Sequence, residues 1–181
     1  MWRRFRWVVL ALAVLLVGAL VATAVTEKPT LDDDEHAVDT QWSALRDALT
    51  ARYTALDGAV AALGAAGEGE RAVTKDLTTD LAAWKASLDG GSPATQVEIA
   101  NRLEGQGARL RANIVNTARL SQDTNLVSAL AAYDSAAPPK DAVAVYNHAV
   151  QTYEDDRTDV RRALVATIFG HDARSRFAAR A

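Results

Sequence analysis

Eighteen consecutive residues, Val8 to Val25, carry no charge, and only Gly18 and Thr23 interrupt a run of Val, Leu and Ala. No other feature restricts the chain as strongly. At 1.5 Å per residue, a helix over this run plus Trp7 covers about 28 Å, close to the roughly 30 Å hydrocarbon core of a bilayer. The run is therefore expected to form one transmembrane helix. Arg3, Arg4 and Arg6 precede it, whereas Glu27, Asp32, Asp33, Asp34 and Glu35 come after it, with Lys28 the one nearby base. Basic residues flanking a span stay on the cytoplasmic side. The expected arrangement is a single-pass protein of the cytoplasmic membrane, N-terminus inside and C-terminal domain extracytoplasmic, with Trp2, Phe5 and Trp7 at the headgroup layer.

A basic start, an apolar stretch and Ala22-Thr23-Ala24 also fit a cleavable signal peptide. The apolar run exceeds the roughly 7 to 15 residues of such a segment, which favours the anchor. Both readings export the remainder of the chain.

Of the 181 residues, about 150 remain beyond the span and its flank, enough for one domain with its own core. Removing Arg3, Arg4 and Arg6 from the 20 basic residues leaves 17 against 23 acidic ones, a net charge of −6 for the exported part. That balance argues against nucleic acid as a partner. The absence of Cys excludes disulfides, thiolate metal sites and a cysteine nucleophile. The expected domains are an anchor over 1–25, a polar linker over 26–31 containing Pro29, a helical body over 32–170 and a basic tail over 171–181.

Periodicity in the body points to helices throughout. Val38, Trp42, Leu45, Leu49, Tyr53, Leu56, Val60 and Leu63 recur at steps of three and four, one apolar stripe on a long helix. Asp39, Arg46, Asp47, Arg52 and Asp57 fall largely off it and read as a solvated face, while Asp32, Asp33, Asp34 and Glu35 read as an N-terminal cap. Gly64 to Gly69 breaks the pattern. A second helix over about 70–88 carries Val73, Leu77, Leu81, Trp84 and Leu88, and Asp89-Gly90-Gly91-Ser92-Pro93 ends it, with Ser92 and Pro93 suited to cap the next. A third, about 94–120, carries Val97, Ala100, Leu103, Gly107, Leu110, Ile114 and Thr117, its Gly105 and Gly107 implying close approach of a neighbour. A shorter piece holds Leu126, Val127, Leu130 and Tyr133 before Pro138-Pro139. The last helix, about 140–169, carries Val143, Tyr146, Val150, Tyr153, Val160, Leu164 and Ile168 and stops at Gly170. The expected fold class is all-α, an N-terminal transmembrane helix followed by an antiparallel four-helix bundle with long helices. An even number of helices returns the C-terminus to the membrane, where Arg161, Arg162, Arg174, Arg176 and Arg180 can meet anionic headgroups or complement a helix end and a frayed tail.

Chemistry-bearing motifs are sparse. His36 beside Asp32 to Glu35 is the one cluster suggestive of a metal, but the glycine turn of a calcium loop is missing, and capping is the favoured reading. His148 and His171 read as surface or packing residues. No phosphate loop, no G-x-S-x-G and no nucleophile with an ordered base occur, so no enzyme activity and no cofactor are expected. Asn101, Asn113, Asn116 and Asn147 lie at or near packed faces, where a buried amide can specify register, or equally face solvent as ordinary surface amides.

Taken together, these stretches resemble the LemA family of single-span bacterial helical-bundle proteins. Trp42, Leu45, Leu49, Arg52, Tyr53, Leu56 and Val60 with Glu70-Arg71 are similar to its first long helix. Ala100-Asn101-Arg102-Leu103 and Leu110-Arg111-Ala112-Asn113 are similar to its middle segment. Tyr146-Asn147, Ala149-Val150 and Tyr153 are similar to its Y-N-x-A-V-x-x-Y-N signature, and Val165-Ala166, Phe169-Gly170 and Phe177 to its closing segment. Asp57-Gly58-Ala59 stands where the family has Ile-Pro-Asn, Gly69 where it has His, and Glu154 where it has the second Asn. The resemblance implies a membrane-tethered four-helix bundle and no catalytic residues. The expected role is a non-enzymatic scaffold or adaptor acting by protein or lipid contacts at the envelope, with Tyr146, Asn147, Arg174, Arg176 and Arg180 as its interaction surface. The alternative is a secreted ligand-binding or sensory bundle with a cavity around Trp42, Trp84 and Tyr146.

Overall fold

The structure is a computed structural model that describes residues 2–69 and 71–179. For residues 2–6, 8, 9, 11, 16, 17, 19, 20 and 24 the description is of the helical backbone alone. The described chain is all-α: α1 (Trp2–Leu63), α2 (Ala72–Leu88), α3 (Pro93–Asn116), α4 (Ala118–Ser121), α5 (Thr124–Ser135), α6 (Lys140–Thr158) and α7 (Arg162–Phe169). A π-helical turn, Gly64–Glu68, succeeds α1, with Gly67 at φ 82° where the chain reverses. Only glycine adopts that conformation without a Cβ clash, which accounts for the break at this glycine-rich stretch.

α1 is one helix of 62 residues, about 93 Å at 1.5 Å per residue. The uncharged run lies within it, with part of its side chains outside the description; among the described residues no helix is long and apolar enough to cross a membrane. The stretch 26–31 is helical rather than a linker, although Pro29 cannot donate to the preceding turn. α7 supplies the compensation. Leu31 is fully buried against Val165 and Ala166, and Arg162 donates to Glu27 at 2.7 Å.

The expected apolar stripes form the core. Val38, Trp42, Leu45, Leu49, Tyr53, Leu56 and Leu63 of α1 are buried, as are Leu77, Leu81 and Trp84 of α2 and Val97, Ala100, Leu103, Leu110 and Ile114 of α3. α2 packs on α3, and α1 packs on α5, α6 and α7 in turn. Contacts along α1 run in reverse order to the later helices: Arg52 meets Tyr133, Trp42 meets Tyr146, and Glu27 meets Arg162. The segment from α5 to α7 therefore runs antiparallel to α1.

At the junctions, Ser92 Oγ accepts from the Thr95 amide at 3.2 Å with Pro93 in the first helical turn, and Gly170 closes α7 in the left-handed region at φ 77°. Gly107 allows the close approach its cost implied, because a Cβ there would lie 2.5 Å from Tyr133 Oη.

Three further expectations differ. The last helix is divided, because Asp159 leaves the helical region (ψ 138°) and its Oδ1 accepts from the Arg161 amide at 2.9 Å. The restart shifts the phase, so Val160, Leu164 and Ile168 are exposed and Val165 and Ala166 face inward instead. Secondly, Asp32, Asp33, Asp34 and Glu35 do not cap a helix, since α1 passes through them without a break. Thirdly, Arg52 is buried rather than solvated.

Candidate functional site: a backbone clamp around the C-terminal segment

Residues 171–179 have no regular secondary structure, yet they are held along their length. After Gly170 the chain reverses and climbs beside α6. His171 sits near Asp32, Ser175 beside Tyr146, Phe177 against Trp42, and Ala179 at the edge of a pocket that Arg52 also lines. From Asp32 to Arg52 this is roughly 30 Å along α1 at 1.5 Å per residue. The segment thus leads away from the end of the body nearest the apolar run, and the frayed or membrane-facing tail is replaced by a docked strap. Arg180 lies outside the described residues.

Two amides define its register. Asn147 on α6 accepts from the Phe177 amide at 2.8 Å and donates to the Phe177 carbonyl at 2.9 Å. Asn101 on α3 accepts from the Ala178 amide at 2.8 Å and donates to the Arg176 carbonyl at 2.9 Å. In an extended chain, a residue's N–H and C=O point to one side while the flanking C=O and N–H point to the other. The two asparagines occupy those two sides and imitate neighbouring strands, so the backbone at 176–178 is extended. Four backbone groups are satisfied by two side chains, those of Phe177 at a partly buried site and those of Arg176 and Ala178 at an exposed one.

Two tyrosines extend the clamp. Tyr146 Oη donates to the Ser175 carbonyl at 2.8 Å and Tyr153 Oη to the Asp172 carbonyl at 2.9 Å. Burial pushes both phenols up, Tyr153 to about 12 with Glu35 adding to the effect, so both remain protonated donors at neutral pH. Phe177 enters the space the sequence suggested for a ligand. Its ring centroid lies 6.4 Å from that of Trp42, which packs at 5.3 Å on Tyr146 and edge-on to Trp84 at 6.5 Å. Trp42 Nε1 donates to Gln96 at 2.8 Å, and Gln96 donates to the Ser87 carbonyl at 2.8 Å, which fixes the indole.

The acidic residues on α1 meet the same segment. Arg174 donates to Glu35 at 2.6 Å and approaches Asp39 at 3.4 Å, its backbone amide donates to Glu154 at 2.6 Å, and His171 Nδ1 lies 2.9 Å from Glu35. Arg174 is therefore an internal ion-pair partner rather than a free lipid contact, whereas the Arg176 side chain is exposed. Asp34 lies beside Asp156. Burial, a hydrogen bond with Asp156 and the charge of that carboxylate push Asp34 up to about 6, with Arg162 opposing. His36 and His148 are exposed, and among the described residues no group of three or more His, Cys, Asp or Glu is placed to hold a metal.

A second buried polar unit lies above the clamp. Arg52 donates to both oxygens of Glu104 at 2.7 and 3.1 Å and to the Tyr133 carbonyl at 2.9 Å, with its guanidinium 3.8 Å from the Tyr133 ring centroid. Burial, the largest single influence, lowers Arg52, but its hydrogen bond to Glu104 together with the charge and hydrogen-bonding contributions of Glu104 and Tyr133 holds it above its ordinary value. The signal for Arg52 was its position three residues after Leu49 and four before Leu56, on the edge of the stripe rather than behind it.

The groups assembled here bind backbone and fill space. Tyr146 and Asn147 come together as one surface, but its occupant is the chain's own tail. Comparison with protein-family models, characterised proteins and solved structures finds no match to this chain.

Proposed function

We infer that this is a non-enzymatic protein of the cell envelope, anchored by the apolar part of α1, whose body is an antiparallel four-helix bundle acting through protein contacts. One observation carries the reading. Trp7, Leu10, Leu12, Val14, Leu15, Val21 and Val25 all project from α1 without cover from the rest of the chain. A series of apolar side chains exposed along a helix favours an apolar surrounding. The bilayer is the surrounding whose thickness suits the run, and Arg3, Arg4 and Arg6 orient it with the N-terminus inside. The helical continuity of 26–31 holds the body close to the membrane surface. The LemA-like reading agrees with this arrangement and rests on Tyr146-Asn147, Ala149-Val150, Tyr153 and their companion motifs.

Membrane fractionation of the tagged protein tests it, combined with carbonate washing, the intact mass of the N-terminus and protease access from outside. The expected result is an uncut protein retained in the membrane whose body is degraded externally. A soluble mature protein beginning near Val25 would sink the anchor and leave a secreted bundle.

A further inference from the structure

We propose that the groove between α1, α3 and α6 is a binding site for an extended segment of a partner protein, and that residues 171–179 occupy it as an internal competitor. The inference rests on the reading of the protein as one that acts by protein contact, but not on the anchor.

At its centre the groove reads backbone. Asn101 and Asn147 bind the N–H and C=O groups around Phe177, and Tyr146 and Tyr153 bind two carbonyls, so side-chain identity is free at several positions. Beyond His171, whose Nδ1 lies 2.9 Å from Glu35, identity is demanded at two positions. The aromatic box of Trp42 and Tyr146 takes the Phe177 ring, and Glu35 and Asp39 take Arg174 three residues earlier. Asp32 and Glu154 also line the path, each paired within its own helix, with Lys28 and Arg157 respectively. The ligand is thus an extended peptide carrying Arg, two free positions and an aromatic, then one residue whose backbone amide meets Asn101. The tail carries those residues itself, as Arg174, Ser175, Arg176, Phe177 and Ala178, and has no helix or sheet to leave when it is displaced.

The test uses the full-length protein in detergent micelles and a fluorescent peptide copying residues 170–179. The expected result is binding at least tenfold tighter to an Arg174→Ala/Phe177→Ala chain, whose own tail is released, than to the unaltered chain. That binding should disappear when Asn101→Ala and Asn147→Ala are added, and when the peptide's own phenylalanine is replaced by alanine. No binding to a release variant that keeps its helical circular dichroism would overturn the proposal. Hydrogen exchange on the unaltered chain is the second measurement. The amides of Phe177 and Ala178 should exchange at least tenfold faster than that of Leu103; equal rates would mean that only global unfolding opens the groove, which also overturns it. A tail-dependent dimer in ultracentrifugation would give the groove to a second copy and defeat the assignment to a separate partner.

Discussion

The Asn147 side chain makes two hydrogen bonds to one residue, accepting from the Phe177 amide at 2.8 Å and donating to the Phe177 carbonyl at 2.9 Å. A single amide on α6 thereby fixes which residue of the tail faces Trp42. Asn147→Asp keeps the acceptor and removes the donor, while placing a charge against a carbonyl. It is expected to loosen the tail and lower stability by about 1–3 kcal/mol, the cost of leaving a partly buried carbonyl unpaired. Urea unfolding would read the loss, and amide exchange at Phe177 would locate it. A loss without faster exchange at the tail would contradict the clamp.

Arg52 and Glu104 are both almost fully buried and joined by two hydrogen bonds. Removing one partner strands the other charge, so Glu104→Leu or Arg52→Met alone should cost about 3–5 kcal/mol. The double substitution should recover most of that, because desolvation then opposes nothing. A double-mutant cycle in urea checks this, and additive losses would show that the pair is not the source of the cost.

Two glycines in helices should respond with opposite signs. Gly58 on α1 has open space around it, so Gly58→Ala should stabilise by about 0.5–1 kcal/mol through helix propensity. Gly107 abuts Tyr133, and Gly107→Ala should destabilise the protein despite the same propensity gain. Adding Tyr133→Phe should relieve part of the loss, since the hydroxyl is the nearest obstacle. Thermal unfolding of the three variants distinguishes packing from propensity.

Asp34 is expected to make stability depend on pH. Its folded value of about 6 lies above the ordinary 3.8, so between these values the folded state binds the proton more tightly than the unfolded one. This stabilising contribution is fully present below about 3.8 and is lost as pH rises through about 6. Asp34→Asn should therefore melt higher than the unaltered protein at about pH 7.5, and the difference should shrink as pH falls through about 6 and close only below about pH 3.8. Parallel melting curves across that range would remove Asp34 as the cause.

Much of the architecture was legible because apolar spacing reports which side of a helix is buried. Val38, Trp42, Leu49 and Leu56 needed nothing but their steps of three and four, and Ser92-Pro93, Pro138-Pro139 and Gly170 marked their boundaries by local chemistry that acts within a few residues. The same reasoning failed at Val160, Leu164 and Ile168, since one non-helical residue, Asp159, resets the phase of the helix after it. It also failed for Arg52, because charge on a stripe's edge says nothing about whether a carboxylate waits 52 positions away.

The sequence by itself determined that this chain is helical, where its apolar faces lie and which run is apolar and uncharged, because these properties arise from periodicity, glycine, proline and net charge within single segments. Only the tertiary structure decided that the acidic residues of α1 serve His171 and Arg174 rather than a helix end. It alone decided that Asn101 and Asn147 grip the tail and that Phe177 fills the aromatic box. Those outcomes depend on hydrogen bonds and ring contacts between residues 30 to 139 positions apart, and no local pattern encodes which distant partner will arrive.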